Sequence, residues 1–297
     1  MPFPVDLHTH TNASDGSDSP AELAAAARDA GLSVLGLTDH DTVDAIAETA
    51  EECRRLGIAF IPGVEISTSI RVGESENTPS RLPIHLLGYG IDTSNGPLVD
   101  TLASHARARS VRMGQMIERC NQVIERDTGR REAISASRVL DIAGKGSIGR
   151  PHLAKALIES GYATSIDDVF ERYIGRGKPA YVKRAPVDTV EMITLVREAC
   201  GAPVLAHPDE YGTLDHLLPV LRRAGLVGME VWYGEYDDAT VNRLLRLAEQ
   251  HDLVPTGGSD YHGRSVKPSR TLGMTPVPLT SVVALEAAIE AIRAEAR

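Results

Sequence analysis

The sequence predicts an α/β protein in which strands and helices alternate to form a closed or nearly closed (β/α) barrel of about seven strands, interrupted by one small helical insertion. Three observations predict it. Short apolar runs alternate with helical patterns at both ends of the 297-residue chain. An acid or a histidine closes one run after another, at residues 8–10, 38–40, 63–65, 206–208 and 258–262, and strand C-termini are where such a barrel carries its active site. Between the two halves lies a helical stretch far longer than a normal strand-to-strand connection.

The first run, Val5-Asp6-Leu7-His8-Thr9-His10, alternates apolar and polar residues, so a strand there turns Asp6, His8 and His10 to one face. Two neutral imidazoles about 7 Å apart along a strand can share one divalent ion. Residues 11–18 are polar and turn-rich, with Asp15 before Gly16. Ser19-Pro20-Ala21-Glu22 is a capping box with proline at the first helical position, opening an alanine-rich helix that stops at Gly31. Residues 34–37 form a buried strand closed by Thr38-Asp39-His40-Asp41, and residues 41–44 cap a helix with Val43, Ile46, Ala50 and Cys53 on one face. A third strand over 58–64 reaches Glu65, and this order implies parallel strands with right-handed crossovers.

The polar run 73–80 reads as a loop before a strand at 82–89 that carries His85. Helical patterns follow at 100–127, 133–142, 151–160 and 166–173, divided by Gly144, Gly161 and Gly175. We therefore expect a barrel from residues 1–96 plus 184–297 and an inserted helical substrate-binding subdomain at 97–183. The rhythm then resumes: a helix at 187–200, a strand at 203–206 ending in His207, a helix at 214–224, a strand at 227–231, a helix at 238–251, and a last strand at 253–256 before Gly257-Gly258-Ser259-Asp260. An amphipathic helix at 282–296 covers the outside.

A net charge of -10, with 42% hydrophobic and 24% charged residues, fits a globular protein with no global basic field for gripping long nucleic acid. Small anionic substrates then have to be held by local charge and metal. Cys53, Cys120 and Cys200 are too few and too far apart for a disulfide framework or a zinc knuckle. No signal-peptide pattern opens the chain and no apolar run approaches the roughly 18 residues of a membrane span, so a cytoplasmic protein without a membrane partner is expected. Oligomeric state is not legible.

Collected, the strand-end residues are His8, His10, Asp15, His40, Glu65, His85, His207, Asp260 and His262, nine N and O donors in all. Nine exceeds what one tetrahedral site uses, so two or three divalent ions are implied, and hard mixed donors suit Mn first, with Zn or Fe as alternatives. Clustered ions are the device for hydrolytic phosphoryl transfer, because they activate a water and take up charge on the phosphate oxygens. His8, His10, Glu65, His207, Asp260 and His262 are the expected catalytic set. His105, His216 and His251 fall inside helical patterns and are left out of it. In the insertion, Gly146-Ser147-Ile148-Gly149-Arg150-Pro151-His152 puts an arginine and free N–H groups at a helix start, and Gly175-Arg176-Gly177-Lys178-Pro179 is a second basic loop. Ser147, Arg150, His152 and Lys178 are the expected substrate-binding residues.

Taken in order, Asp6-Leu7-His8-Thr9-His10, Thr38-Asp39-His40, Gly63-Val64-Glu65, His207-Pro208 and Gly258-Ser259-Asp260-Tyr261-His262 resemble the motifs of the PHP (polymerase and histidinol phosphatase) family. The resemblance implies a distorted seven-stranded barrel and a trinuclear metal site hydrolysing phosphoesters. It assigns His8, His10, Glu65 and Asp260 to one ion, Glu65, His85 and His207 to a second, and Asp15, His40 and His262 to a third; many members have histidine where Asp15 stands. The insertion resembles that of members acting on nucleoside 3',5'-bisphosphates and, as 5' to 3' exonucleases, on short RNA. The implied function is release of the 3'-phosphate from a nucleoside 3',5'-bisphosphate, with RNA exonuclease action as the alternative. A histidinol-phosphate type ranks lower because those enzymes lack the insertion. A non-catalytic metal-binding module is disfavoured by the complete donor set.

Overall fold

The apolar runs assemble into one seven-stranded sheet whose order follows the sequence. Its strands are β1 (Val5–Asp6), β2 (Val34–Leu37), β3 (Ala59–Val72), β4 (Ser80–Tyr89), β5 (Ala202–Leu205), β6 (Gly228–Tyr233) and β7 (Val254–Gly258). This is a computed structural model that describes residues 3–72, 80–144, 146–212 and 214–296. Neighbours are parallel except around β4, which runs antiparallel to both β3 and β5. The expected run of parallel crossovers therefore stops at β3: only residues 73–79 separate it from β4, fewer than the dozen or so that a parallel crossover needs. Residues 73–79 of the expected loop lie outside the described residues, and Ser80 already belongs to β4.

The alternating run at the N-terminus pairs with β2 only over Val5 and Asp6. Beyond it the chain also reaches the other side: Leu7 donates its N–H to Gly257 O at 3.2 Å, and Thr9 bridges Tyr261. These contacts bring β1 and β7 together, so the sheet is a nearly closed barrel. Gly258 permits that approach, since a Cβ there would strike the backbone N and Cβ of His8.

Helix α1 (Pro20–Asp29) opens with the expected capping box, Ser19 N–H donating to Glu22 Oε2 at 2.8 Å and Glu22 N–H to Ser19 Oγ at 3.3 Å. Helix α2 (Ile46–Leu56) corrects the reading of residues 41–44, because it starts after Ala45 without a side-chain cap. Asp41 is instead buried in a left-handed conformation, φ 53°, with its carboxylate turned to Arg109 and Ser67. Its charge is committed to a tertiary partner, which outweighs a helix cap worth only about 1 kcal/mol.

Between β4 and β5 come α3 (Gly96–Thr128), α4 (Ala136–Ala143), α5 (Arg150–Glu159) and α6 (Ile166–Val169), the last running into a π-helical turn at Phe170–Ile174. Their apolar faces meet in a cluster of their own that includes Met113, Met116, Cys120, Leu153, Leu157 and Ile174. Each such side chain, fully buried, is worth roughly 1.5–3 kcal/mol. The remaining helices are α7 (Thr189–Glu198), α8 (Leu214–Ala224), α9 (Asp238–Gln250) and α10 (Leu279–Glu295). Val282, Leu285, Ile289 and Ile292 of α10 pack with Val5, Leu7, Tyr89 and Val204. No helix among the described residues is long and apolar enough to cross a membrane.

Candidate metal centre

The nine acid and histidine residues come from six places in the barrel and meet at one mouth. His8, His10 and Asp15 follow β1, His40 follows β2, His207 follows β5, and Asp260 and His262 follow β7. Glu65 and His85 depart from the expected strand-end position. They sit within β3 and β4, on rungs two apart that pair Glu65 with Leu87 and Ser67 with His85, so both side chains stand on one face. The long β3–β4 pair therefore runs on past the centre. Three of the non-glycine residues with positive φ are here, Asp41 (53°), His207 (29°) and Asp260 (56°), and strain of this kind concentrates at functional sites.

His8 Nε2 and His10 Nε2 lie 3.2 Å apart. Glu65 Oε2 is 3.2 Å from each of them, and Asp260 Oδ1 is 3.4 Å from the first and 3.3 Å from the second. On the opposite oxygen of Glu65, Oε1 stands 2.7 Å from His85 Nδ1 and 3.4 Å from His207 Nε2, and these two nitrogens are 3.1 Å apart. A third group forms around Asp15, whose Oδ1 is 3.3 Å from His262 Nε2 and whose Oδ2 is 3.9 Å from His40 Nε2. Glu65 thus faces two groups with its two oxygens, and His40 Nδ1 also lies 3.2 Å from Glu65 Oε2.

Whether divalent ions fit can be judged from the atoms alone. Lone-pair acceptors converge while their remaining donors point elsewhere: His8 Nδ1–H goes to Glu230 Oε1 at 3.0 Å, His207 Nδ1–H to Glu210 Oε2 at 3.1 Å, and His262 Nδ1–H to Asp260 O at 2.9 Å. Fixing the tautomer in this way leaves Nε2 of each ring as a ligand atom. His10 Nδ1, Asp15 Oδ1 and His40 Nδ1 are buried without a hydrogen-bond partner. Three sets of ligand atoms lie close enough to hold an ion: His8, His10, Glu65 and Asp260; His10, Asp15, His40 and His262; and His40, Glu65 and His85. The residues fit clustered hard cations.

The local potential agrees. Burial opposes protonation of His10, yet Asp260 and Glu65 outweigh it and push the imidazole up to about 9. For His207, burial is likewise outweighed by Glu210 and Glu65, and the ring rises to about 10. Burial by itself would raise Glu65, but His40, His85 and His8 hold it well below the usual carboxylate range. His40 goes the other way, to about 3, because its burial exceeds what Glu65 and Asp15 return.

Behind these ligand atoms stands a layer that sequence reasoning missed. Glu230, fully buried on β6, accepts from His8 Nδ1 and, at 2.7 Å, from the His207 backbone N–H. Tyr233 Oη and Lys267 Nζ donate to Asp260 Oδ2 at 2.8 and 2.6 Å. Asp39 accepts from Thr11 and Ser14 and fixes the loop that carries Asp15. Glu230 stands in mid-strand with no neighbouring acid or histidine, so only the folded register shows its role.

From this centre a cleft of about 500 Å³ opens toward the inserted helices. Its wall holds Asp15, His40 and His85 at the metal side and then Arg81, Arg109, Arg112, Arg150, Arg176, Lys183 and Arg184. Arg109 Nε is 2.5 Å from Asp41 Oδ2 and Arg81 is 2.7 Å from Asp188. Among the described residues Arg184 pairs with one distant carboxylate, Asp41 at 3.8 Å, and burial together with Arg109, Arg112 and Arg150 depresses its basicity. Of the expected substrate residues only Arg150 lines this cleft. Ser147 is buried and donates its N–H to Ala13 O at 2.7 Å. His152 is buried too; its Nδ1 accepts from Gly149 N at 2.9 Å, and its ring borders a second cavity on the far side of Asp15. Lys178 is exposed and outside the cleft lining, where its loop neighbour Arg176 is found.

Comparison with known proteins agrees with this geometry. Residues 6–127 match the PHP domain. The chain is 35% identical over 263 residues to the 5'-3' exoribonuclease Rnm of Escherichia coli, covering 86% of this chain and 84% of the relative. It is 31% identical over 267 residues to the 3',5'-nucleoside bisphosphate phosphatase of Chromobacterium violaceum, covering 87% of each. A solved structure from Bifidobacterium adolescentis, described as a candidate metal-dependent phosphoesterase, superposes with a TM-score of 0.84 at 31% identity over 97% of this chain and 98% of that one. A barrel with these motifs, matched along most of its length by such relatives, is a member of the PHP family of metal-dependent phosphoesterases, and that is the family to which this chain belongs.

Proposed function

We propose that the chain removes the 3'-phosphate from nucleoside 3',5'-bisphosphates, holding the reacting phosphate at the metal centre and the 5'-phosphate in the arginine cleft. The observation that carries the reading is the cleft itself, seven cationic side chains beside an acceptor-rich centre on a protein of net charge -10. Half-buried Arg184, crowded by Arg109, Arg112 and Arg150, is relieved by an incoming dianion, and Arg112 and Arg150 are positioned to share it. The Chromobacterium violaceum amidohydrolase structure, TM-score 0.81 at 28% identity, carries sulfate, a tetrahedral dianion of the same shape.

In this reading His8, His10, Glu65 and Asp260 would hold one ion, Glu65, His85 and His207 a second, and Asp15, His40 and His262 a third, with Mn the first candidate. Such ions supply a Lewis acid for phosphate oxygens and lower the pKa of the attacking water. Glu65 spans two of the groups with its two oxygens and fixes their separation. Tyr233 and Lys267 hold Asp260, and Glu230 holds the ring of His8 and the backbone of His207. Arginines gripping the remote phosphate convert binding energy into alignment of the ester.

A second reading, release of 5'-mononucleotides from short 5'-phosphorylated RNA, is favoured by the name of the 35%-identical relative and by a number of cations larger than one phosphate needs. It uses the same parts, with the phosphorus on the 3' side of the first nucleotide at the centre. Phosphate release from adenosine 3',5'-bisphosphate and mononucleotide release from a 5'-phosphorylated pentaribonucleotide, both with Mn supplied, separate the two. The first reading is abandoned if the RNA is degraded while the bisphosphate is left intact.

A further inference from the structure

We propose that the inserted helices give the cleft a stacking platform, Phe170 with Arg150 over its ring, that takes the base of the substrate by its face and leaves its edge unread. The inference rests on the nucleotide reading above. It begins at the π-helical turn: Phe170 O accepts the N–H of Gly175 at 2.8 Å, five residues on, where α6 would otherwise have ended. Such turns are rare and recur at functional sites because they re-aim one side chain. Here the re-aimed ring lines the cleft, half-buried, with the Arg150 Cζ 4.8 Å from its centroid.

The surroundings of the ring suit a base. Met113, Met116, Ile148 and Tyr181 join Phe170 in the lining, an apolar end to a cleft whose charged residues are mostly cationic. This end is tied to the metal centre through a single residue. Gly149 precedes Arg150, and the position of its missing Cβ is 3.4 Å from Asp15 Oδ2. One cleft therefore joins acceptors for metal, cations for phosphate and an aromatic face.

Edge reading needs paired donors and acceptors, such as Asn or Gln for adenine and a carboxylate for cytosine. The described residues lining the cleft include no Asn, Gln or Glu, and Asp15 belongs to the acceptor cluster. Arginine can read guanine, but Arg81 is held by Asp188, Arg109 by Asp41, and Arg112 Nε by Val182 O at 2.7 Å. Stacking is indifferent to identity because every base has a π face.

The test compares adenosine 3',5'-bisphosphate with 1-deoxyribose 3,5-bisphosphate, which lacks the base, in wild type, Phe170→Leu and Phe170→Tyr. Leucine keeps apolar volume without a ring, so the fold is retained. Phe170→Leu should lower kcat/KM on the nucleotide roughly five- to a hundredfold and leave the sugar bisphosphate unchanged, with Phe170→Tyr near wild type. Wild type should turn over the adenosine and guanosine compounds within a few-fold of each other. An equal loss on both substrates, or a preference above tenfold between the two purines, overturns the platform while the hydrolytic reading stands. Calorimetric titration with Mn present covers the opposite case. If the nucleotide is bound but not hydrolysed, and Phe170→Leu removes its advantage over the sugar bisphosphate, the platform stands and the hydrolytic reading falls. If wild type binds the two equally, the platform falls.

Discussion

The metal centre and the cleft beside it are opposites in charge and in origin. The centre gathers carboxylates and imidazoles around one mouth, so its convergent atoms call for positive charge between them, protons on His10 and His207 or metal ions in their place. The cleft gathers guanidinium groups with too few carboxylates to pair them, so its charges repel until an anion arrives. Each region is unfavourable alone, and together they describe a ligand that is an anion on one side and bound through metal on the other. Asp41 stands at their border. It follows His40 in the chain, yet its carboxylate faces Arg109 from α3, tying barrel to insertion.

Breaking the cationic requirement of the centre should have the largest effect. Glu65→Gln removes the one carboxylate that meets two ligand groups, and the several kcal/mol of charge stabilisation supplied by clustered metals correspond to a loss of about a thousandfold or more in kcat/KM. Elemental analysis after purification with Mn should show at least one ion fewer per chain than wild type. Unchanged metal content would show that Glu65 is not shared between ions.

Next comes the border. Burial alone would raise the carboxyl of Asp41, but Arg109, His105 and Arg184 hold it well below its ordinary value of 3.8. A depressed folded pKa adds stability that is fully present above the unfolded value and is lost as pH falls toward the folded one. Asp41→Asn leaves buried Arg109 uncompensated and should cost about 3–5 kcal/mol at neutral pH. The gap between wild type and mutant should narrow below about pH 4. Urea unfolding in chelator at a series of pH values measures it, and a gap constant across that range would mean that Asp41 is not ionised in partnership with Arg109.

These two regions were unequally legible. The donors of the centre are written in short local patterns, His8 with His10, Asp260 with His262, each at the end of an apolar run, so strand periodicity brings them together before any tertiary detail is known. Glu65 also follows such a run, although β3 continues past it, whereas His85 lies inside the strand both in the sequence reading and in the fold. The cleft cations are scattered from Arg81 to Arg184 over one strand, two helices and the loops before α7, and apart from Arg150 and Arg176, which stand in basic Gly-rich segments, each reads on sequence as an ordinary surface cation. Glu230 was hidden differently: a mid-strand acid is read as solvent-facing unless the sheet is known to cover it. The antiparallel β4 escaped because its connection to β3 carries no helical pattern either way.

Within the cleft, Arg184→Ala sharpens the contrast at a lower cost. A charge-assisted hydrogen bond to phosphate is worth roughly 1.5–3 kcal/mol, about ten- to a hundredfold in kcat/KM. The loss should fall on a nucleoside 3',5'-bisphosphate and spare a nucleoside 3'-monophosphate, with metal content unchanged. An equal fold loss on the two substrates would place Arg184 outside the recognition of the second phosphate.

The smallest effect separates two neighbours on one loop. Arg176 and Lys178 are both exposed and both basic, and sequence reasoning chose Lys178. In the fold, Lys178 N–H donates to Gly175 O at 3.0 Å while Gly177 adopts φ 80°, closing a tight turn. The turn lays the Lys178 stem back over Gly175, its Cγ 3.4 Å from where a Cβ would stand, and leaves Arg176 in the cleft lining. Exposed charges contribute about 0–1 kcal/mol, so Arg176→Ala should cost about two- to fivefold in kcat/KM on the bisphosphate and Lys178→Ala less than about twofold. Both differences should shrink between low salt and about 0.15 M, where the screening length is about 8 Å. If Lys178→Ala is the costlier of the two at low salt, the phosphate enters from the other side of this loop, and the cleft lined by Arg150 and Arg184 is not its path.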